Sequence, residues 1–142
     1  MTATFKTVAV FNASDDTVEM LTVALSERGY RVVAGEVDKV KSGDLDFIAF
    51  VEQHQPDAII WDVAPPYDRN WKFFKLLRSS VAVQQRPIVL TTTNKARLDE
   101  LTARAPEAIE LVGKPYDIHL IVDRVELLLE QAARQGPRAV GQ

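Results

Sequence analysis

Short apolar runs that stop abruptly at a polar residue constrain this chain more than any other feature. Four do so in order: V-A-V-F-N ends at Asn12, A-I-I-W-D at Asp62, I-V-L-T-T at Thr92 and I-E-L-V-G-K at Lys114. From Ala58 to Trp61 every residue is apolar, the pattern of a strand covered on both faces. Helical patterns separate the runs, and the connections are mostly short. The expected fold class is therefore α/β: a doubly wound, five-stranded parallel sheet with helices on both faces. Open sheets of this kind place ligand sites at the carboxyl ends of their strands. Asn12, Asp62, Thr92 and Lys114 are thereby candidates for a single site.

Each element carries its own signal. Thr7 to Phe11 reads as a strand with Val8 and Val10 on one face and Ala9 and Phe11 on the other. Ser14 can cap a helix whose positive first turn suits Asp15 and Asp16. Val18, Leu21, Val23 and Leu25 form its expected inner side, and Gly29 ends it. Tyr30 to Ala34 is a second strand, and the charged stretch from Gly35 to Gly43 reads as a long loop. A helix is expected from Asp44 to Gln53, with Leu45, Ile48, Ala49 and Phe50 inward, broken by Pro56. Pro65-Pro66 imposes an irregular loop, and Trp71 to Arg78 forms a helix presenting Phe73, Phe74 and Leu77. Ile88 to Thr91 is a fourth strand, Arg97 to Arg104 a helix, and Ala108 to Val112 a fifth strand. Ile118 to Ala133 is the strongest helix, with Ile118, Ile121, Val122, Val125, Leu128 and Leu129 at helical spacing.

Composition narrows the function classes. A chain of 142 residues with 46% hydrophobic and 26% charged residues is sized for one globular domain. Its formal net charge of -3 argues against nucleic-acid affinity through bulk electrostatics. Without cysteine there is no disulfide, thiolate chemistry or Cys-based zinc site. No apolar stretch reaches membrane-spanning length, and Met1 to Lys6 is too short and polar for a signal peptide. A cytoplasmic placement, with no membrane and no nucleic acid as partner, is the expectation.

The converging residues point to phosphoryl chemistry. An aspartate that accepts a phosphoryl group needs cations to counter charge on the transferred oxygens and a hydroxyl or N–H to hold one of them. Asp62, Thr92 and Lys114 supply acceptor, hydroxyl and ammonium. Each alone has an ordinary explanation as helix cap, strand filler or solvated charge; three at successive strand ends carry the reading.

With these residues in place, the chain resembles the receiver domain of bacterial two-component response regulators. The resemblance runs from about Phe5 to Ala133, through P-D-A-I-I-W-D-V-A-P-P, R-P-I-V-L-T-T, G-K-P-Y and E-R-G-Y-R-V-V. It implies a receiver domain over residues 1–133; residues 134–142, with Gly136, Pro137 and Gly141, read as a disordered tail. It also implies Asp62 as phosphoacceptor, Thr92 as switch hydroxyl and Lys114 before a typically cis Lys-Pro bond. Magnesium would be held by Asp62, Asn12 and the backbone carbonyl of Ala64. Implied partners are a histidine kinase or phosphotransfer protein, a separate output protein, and a second copy through the last strand and helix. Such a module is not an enzyme beyond accepting a phosphoryl group.

The departures are specific. Receivers end their first strand with two adjacent acids that bind magnesium, and here Asn12 and Ala13 stand there. Asp15 and Asp16 lie close by but read better as first-turn acids than as replacements. Thr93 occupies a position usually small, Leu111 one often aromatic, and Asn70 one usually glycine. Arg69, Lys72, Lys75 and Arg78 make one helix side basic. Tyr67, Trp71, Trp61, His54 and His119 read as packing or surface residues. The competing expectations are a phosphorylation-independent pseudo-receiver that acts as an interaction module, and more remotely a hydrolase with Asp62 as nucleophile. The hydrolase lacks the second aspartate expected where Ala64 stands.

Overall fold

The computed structural model describes residues 5–102, 109–113 and 117–135. Its strands are β1 (Thr7–Asn12), β2 (Arg31–Glu36), β3 (Ala58–Val63), β4 (Ile88–Thr92) and β5 (Ile109–Gly113). They form one parallel sheet in the order β2-β1-β3-β4-β5. The chain moves outward from β1 in both directions, so the connections change sides between β1 and β3. That is the switch point at which a crevice opens beyond the strand ends.

Period-two alternation divides the core into two layers. Val8, Val10, Ala58, Ile60, Val89 and Val112 pack on α1 (Asp15–Glu27) and α7 (Ile118–Arg134). Ala9, Phe11, Ile59, Trp61, Val63, Ile88 and Leu90 pack on the other face. There they meet α2 (Val37–Ser42), α3 (Phe47–His54), α4 (Tyr67–Arg78), α5 (Val81–Gln84) and α6 (Lys95–Thr102). The central strand β3 is buried at every position, as its unbroken apolar run requires. In α7, Ile121, Val122, Val125, Leu128 and Leu129 are all buried, whereas Ile118 is only partly so.

Local differences from the sequence reading have local causes. The Gly35–Gly43 stretch is not a loop: β2 runs through Glu36, and α2 follows because Val37 and Val40, three apart, bury one helical stripe beneath the charges. Val23 is 53% exposed, because two residues from Leu21 is more than half a helical turn. In α3 the buried pair is Phe47 and Val51; Ala49 faces out, while Leu45, Ile48 and Phe50 pack partly against the core. Helix α4 begins four residues earlier than expected, at Tyr67 directly after the cis Pro65-Pro66 bond, and buries Asn70, Trp71 and Phe74, while Phe73 and Leu77 pack partly against the core. The short α5 carried no clear pattern. Arg104, Ala108, the Lys114-Pro115 bond and 136–142 of the expected tail lie outside the described residues, and α7 continues to Arg134.

Aromatic packing next to the site is tight. Phe11 contacts Phe47, Phe50 and Trp61 at centroid distances of 4.9, 5.1 and 5.5 Å. Gly35 lies opposite Phe11 in the sheet register. A Cβ on Gly35 would sit 2.5 Å from Phe11 Cε1 and 2.9 Å from Leu45 Cδ2. Close approach, not a turn, accounts for this glycine.

Candidate functional site

The strand ends at the switch point place Asn12 and Asp62 side by side, 1% and 2% exposed. Asn12 continues the Val8–Val10 row and Asp62 the Ala58–Ile60 row, so both lie on the α1/α7 side of the sheet. Burying a carboxylate is costly unless it is hydrogen-bonded. Thr91 meets that need: its Oγ1 donates to Asp62 Oδ1 at 2.8 Å, with Thr91 itself fully buried.

The hydroxyl beside Asp62 is therefore that of Thr91 and not of Thr92. Register explains it: Asp62 is paired with Thr91, and Val63 with Thr92. Paired residues project to the same face. Thr92 continues the Ile88–Leu90 row on the opposite face, and its Oγ1 accepts from Asn94 N at 3.3 Å. Of the sequence candidates, the described structure brings Asn12 and Asp62 together, adds Thr91, and turns the Thr92 side chain away. Lys114 lies outside the described residues. An extended T-T-T run does reveal that hydroxyls would alternate, but only the register says which one meets Asp62.

Two further oxygens of the site are tied to N–H groups. Asn12 Oδ1 accepts from Ser14 N at 2.9 Å. The carbonyl of Ala64 accepts from Asn70 Nδ2 at 2.7 Å, which folds the β3–α4 loop onto the first turn of α4. Asn70 is itself buried, and its Oδ1 has no hydrogen-bond partner among the described residues. An unsatisfied buried acceptor costs about 1–3 kcal/mol, so the amide is held here at some expense.

Magnesium fits this donor set poorly. It favours oxygen ligands with formal charge, commonly one or two carboxylates. Of the three expected ligands Asp62 is the single carboxylate, beside a neutral amide and a neutral carbonyl that each already accept a hydrogen bond from an N–H. Among the described residues no group of three or more His, Asp or Glu side chains converges on a point. Asp15 and Asp16 are exposed in the first turn of α1, whose cap is Ser14 accepting from Thr17 N at 3.3 Å.

The rim is closed by a side-chain contact that sequence alone left open. The Tyr67 hydroxyl pairs with Thr93 Oγ1, joining the start of α4 to the loop after β4. Beside it, Arg97 bridges Asp68 at 2.5 Å and Glu100 at 2.8 Å, and these acids hold its guanidinium above its usual pKa. Asp68, Trp71, Lys72, Lys75, Arg97 and Glu100 line an open groove of about 400 Å³ between α4 and α6. Trp61 and Trp71 are core residues, His54 lies tilted against Phe50 with ring centroids 4.4 Å apart, and His119 is exposed.

No protein-family model matches the sequence. The chain is 23% identical over 117 residues to Protein PilH of Pseudomonas aeruginosa, spanning 81% of this chain and 92% of PilH. The solved signal receiver domain of a signal transduction histidine kinase from Syntrophus aciditrophicus is similar at a TM-score of 0.72 and 20% identity, covering 96% of this chain and 99% of that one. A response regulator from Chloroflexus aurantiacus is similar at a TM-score of 0.69 and 24% identity, covering 89% and 99%. No described helix is long and apolar enough to cross a membrane.

Proposed function

We propose that this chain, whose fold is that of response-regulator receivers, is an atypical receiver in two-component signalling with Asp62 as its phosphoacceptor. A histidine kinase or phosphotransfer protein would present a phosphohistidine. A carboxylate oxygen of Asp62 attacks phosphorus, the N–P bond breaks, and the imidazole nitrogen leaves with the bonding electrons. The carrying observation is a buried carboxylate at the switch point of the sheet, already in contact with a hydroxyl donor, Thr91. Lys114 supplies the ammonium in the set that the resemblance implies, and Thr91 takes the hydroxyl role which that resemblance gives to Thr92. Output passes to a separate protein in the cytoplasm, and a second copy can pair through β5 and α7.

A second reading is favoured by a specific observation. Asn12 and Ala13 replace the two acids, and the remaining neutral oxygens are hydrogen-bonded internally. On that basis the fold persists as a pseudo-receiver that binds partners without phosphorylation. Incubation with acetyl phosphate, with and without magnesium, followed by intact-mass measurement separates the two. One phosphoryl adduct that disappears in Asp62→Asn supports the receiver; a folded protein that never gains it supports the pseudo-receiver.

A further inference from the structure

We propose that three internal hydrogen bonds do the organising that a divalent cation does in a receiver pocket, and that Asn70 is the positioning residue that keeps the cation out. The inference rests on the receiver reading for which cation the pocket would otherwise hold. Thr91 Oγ1 donates to Asp62 Oδ1, Ser14 N to Asn12 Oδ1, and Asn70 Nδ2 to the carbonyl of Ala64. These acceptors are the oxygens assigned to the metal: one carboxylate, one amide, one backbone carbonyl. Each now accepts a hydrogen bond, whose hydrogen brings a partial positive charge to the oxygen.

The two asparagines act differently. Asn12 lowers the charge of the donor set and uses its oxygen to turn the chain into α1 through Ser14. Asn70 changes no charge. It reaches back six residues to hold the β3–α4 loop against its own helix, and it does so from a buried position at the cost of an unpartnered Oδ1. Restoring the two acids alone therefore leaves the carbonyl engaged. Full cation affinity requires both the acids and release of the loop. Removing a partner that orients a metal ligand shifts affinity about 10–100-fold in established metal sites, and the Asn70 tie is expected to act with similar size in the opposite sense.

The test is a magnesium titration of the full chain followed by amide chemical shifts in ¹H–¹⁵N spectra. In the native chain the amides of Asn12, Ala13, Asp62, Val63 and Ala64 are expected to show no saturable shift, with weak linear drift at exposed Asp15 and Asp16. Asn12→Asp with Ala13→Asp should give saturable shifts at those amides. Adding Asn70→Ala should tighten binding by about 10–100-fold, and Asn70→Ser, also too short to reach Ala64, should reproduce it if the alanine variant does not fold. Saturable binding in the native chain that is lost in Asp62→Asn overturns the proposal. So does a triple variant that binds no tighter than the acid pair alone, or that binds not at all. A phosphoryl adduct on the native chain is read by mass, so failure of the receiver reading and failure of this inference register separately.

Discussion

Replacing Thr91 by valine tests which hydroxyl serves Asp62. The substitution keeps side-chain shape and removes the hydroxyl that donates to Asp62 Oδ1 at 2.8 Å. A hydrogen bond to a charged group contributes about 1.5–3 kcal/mol. The added methyl lies in the Val89 row on the α1/α7 face and offsets up to roughly 0.8 kcal/mol of that. The expected loss is about 1–2 kcal/mol. With a urea slope of about 1–3 kcal/mol per molar, the unfolding midpoint falls by roughly 0.3–2 M. Thr92→Val removes only an acceptor at a half-solvated turn, at Asn94 N, and should cost under about 1 kcal/mol. A double-mutant cycle with Asp62→Asn isolates the contact, because the neutral amide weakens it without changing shape. Thr91→Val should cost about 1 kcal/mol less in that background than in the native one. Thr91 is not the partner of Asp62 if Thr92→Val couples to Asp62→Asn while Thr91→Val is additive with it within about 0.3–0.5 kcal/mol.

Gly35→Ala places a methyl against Phe11, which is held by Phe47, Phe50 and Trp61 and cannot retreat. A loss of about 1–3 kcal/mol in urea unfolding is expected, shrinking when Phe11→Leu makes room. Arg86 donates to the carbonyls of Ala82 and Pro56 and to Gln55 Oε1, while burial lowers its pKa. Arg86→Ala should cost about 1–3 kcal/mol by leaving these acceptors unpaired; Arg86→Lys, lacking the planar fork, should recover little of it in the same unfolding assay. Burial, and then Glu126, raise the pKa of Tyr30. Because the folded state holds that proton more tightly, stability is fully present below about pH 10 and falls as pH rises beyond it. Tyr30→Phe should flatten that decline in thermal unfolding measured against pH.

The architecture was legible because strand-length apolar runs have few ways to be buried. Ala58 to Trp61 demanded cover on both faces, and α7 showed its stripe at helical spacing, and both are found so. Asp62 and Asn12 were legible as neighbours for the same reason: parallel strands that end at one edge bring their last residues together. Helix α2 was not, because Val37 and Val40 are too few among charges to set a period until β2 and the sheet provide a surface to cover.

What the sequence determined by itself is the chemistry available at the sheet edge: one buried carboxylate, an amide where an acid would stand, and hydroxyls in a T-T-T run. Local pattern sets which residues are apolar, and hence which elements form. Only the tertiary structure decided which groups touch. The β3–β4 register assigns Thr91 to Asp62 and sends Thr92 to the other face, and a one-residue slip would reverse that choice. The Asn70 hold on Ala64 and the Tyr67–Thr93 contact likewise join residues whose distance depends on where α4 docks on the sheet. Pairing across the sheet is a long-range property, fixed by how both layers pack at once, and no local period encodes it.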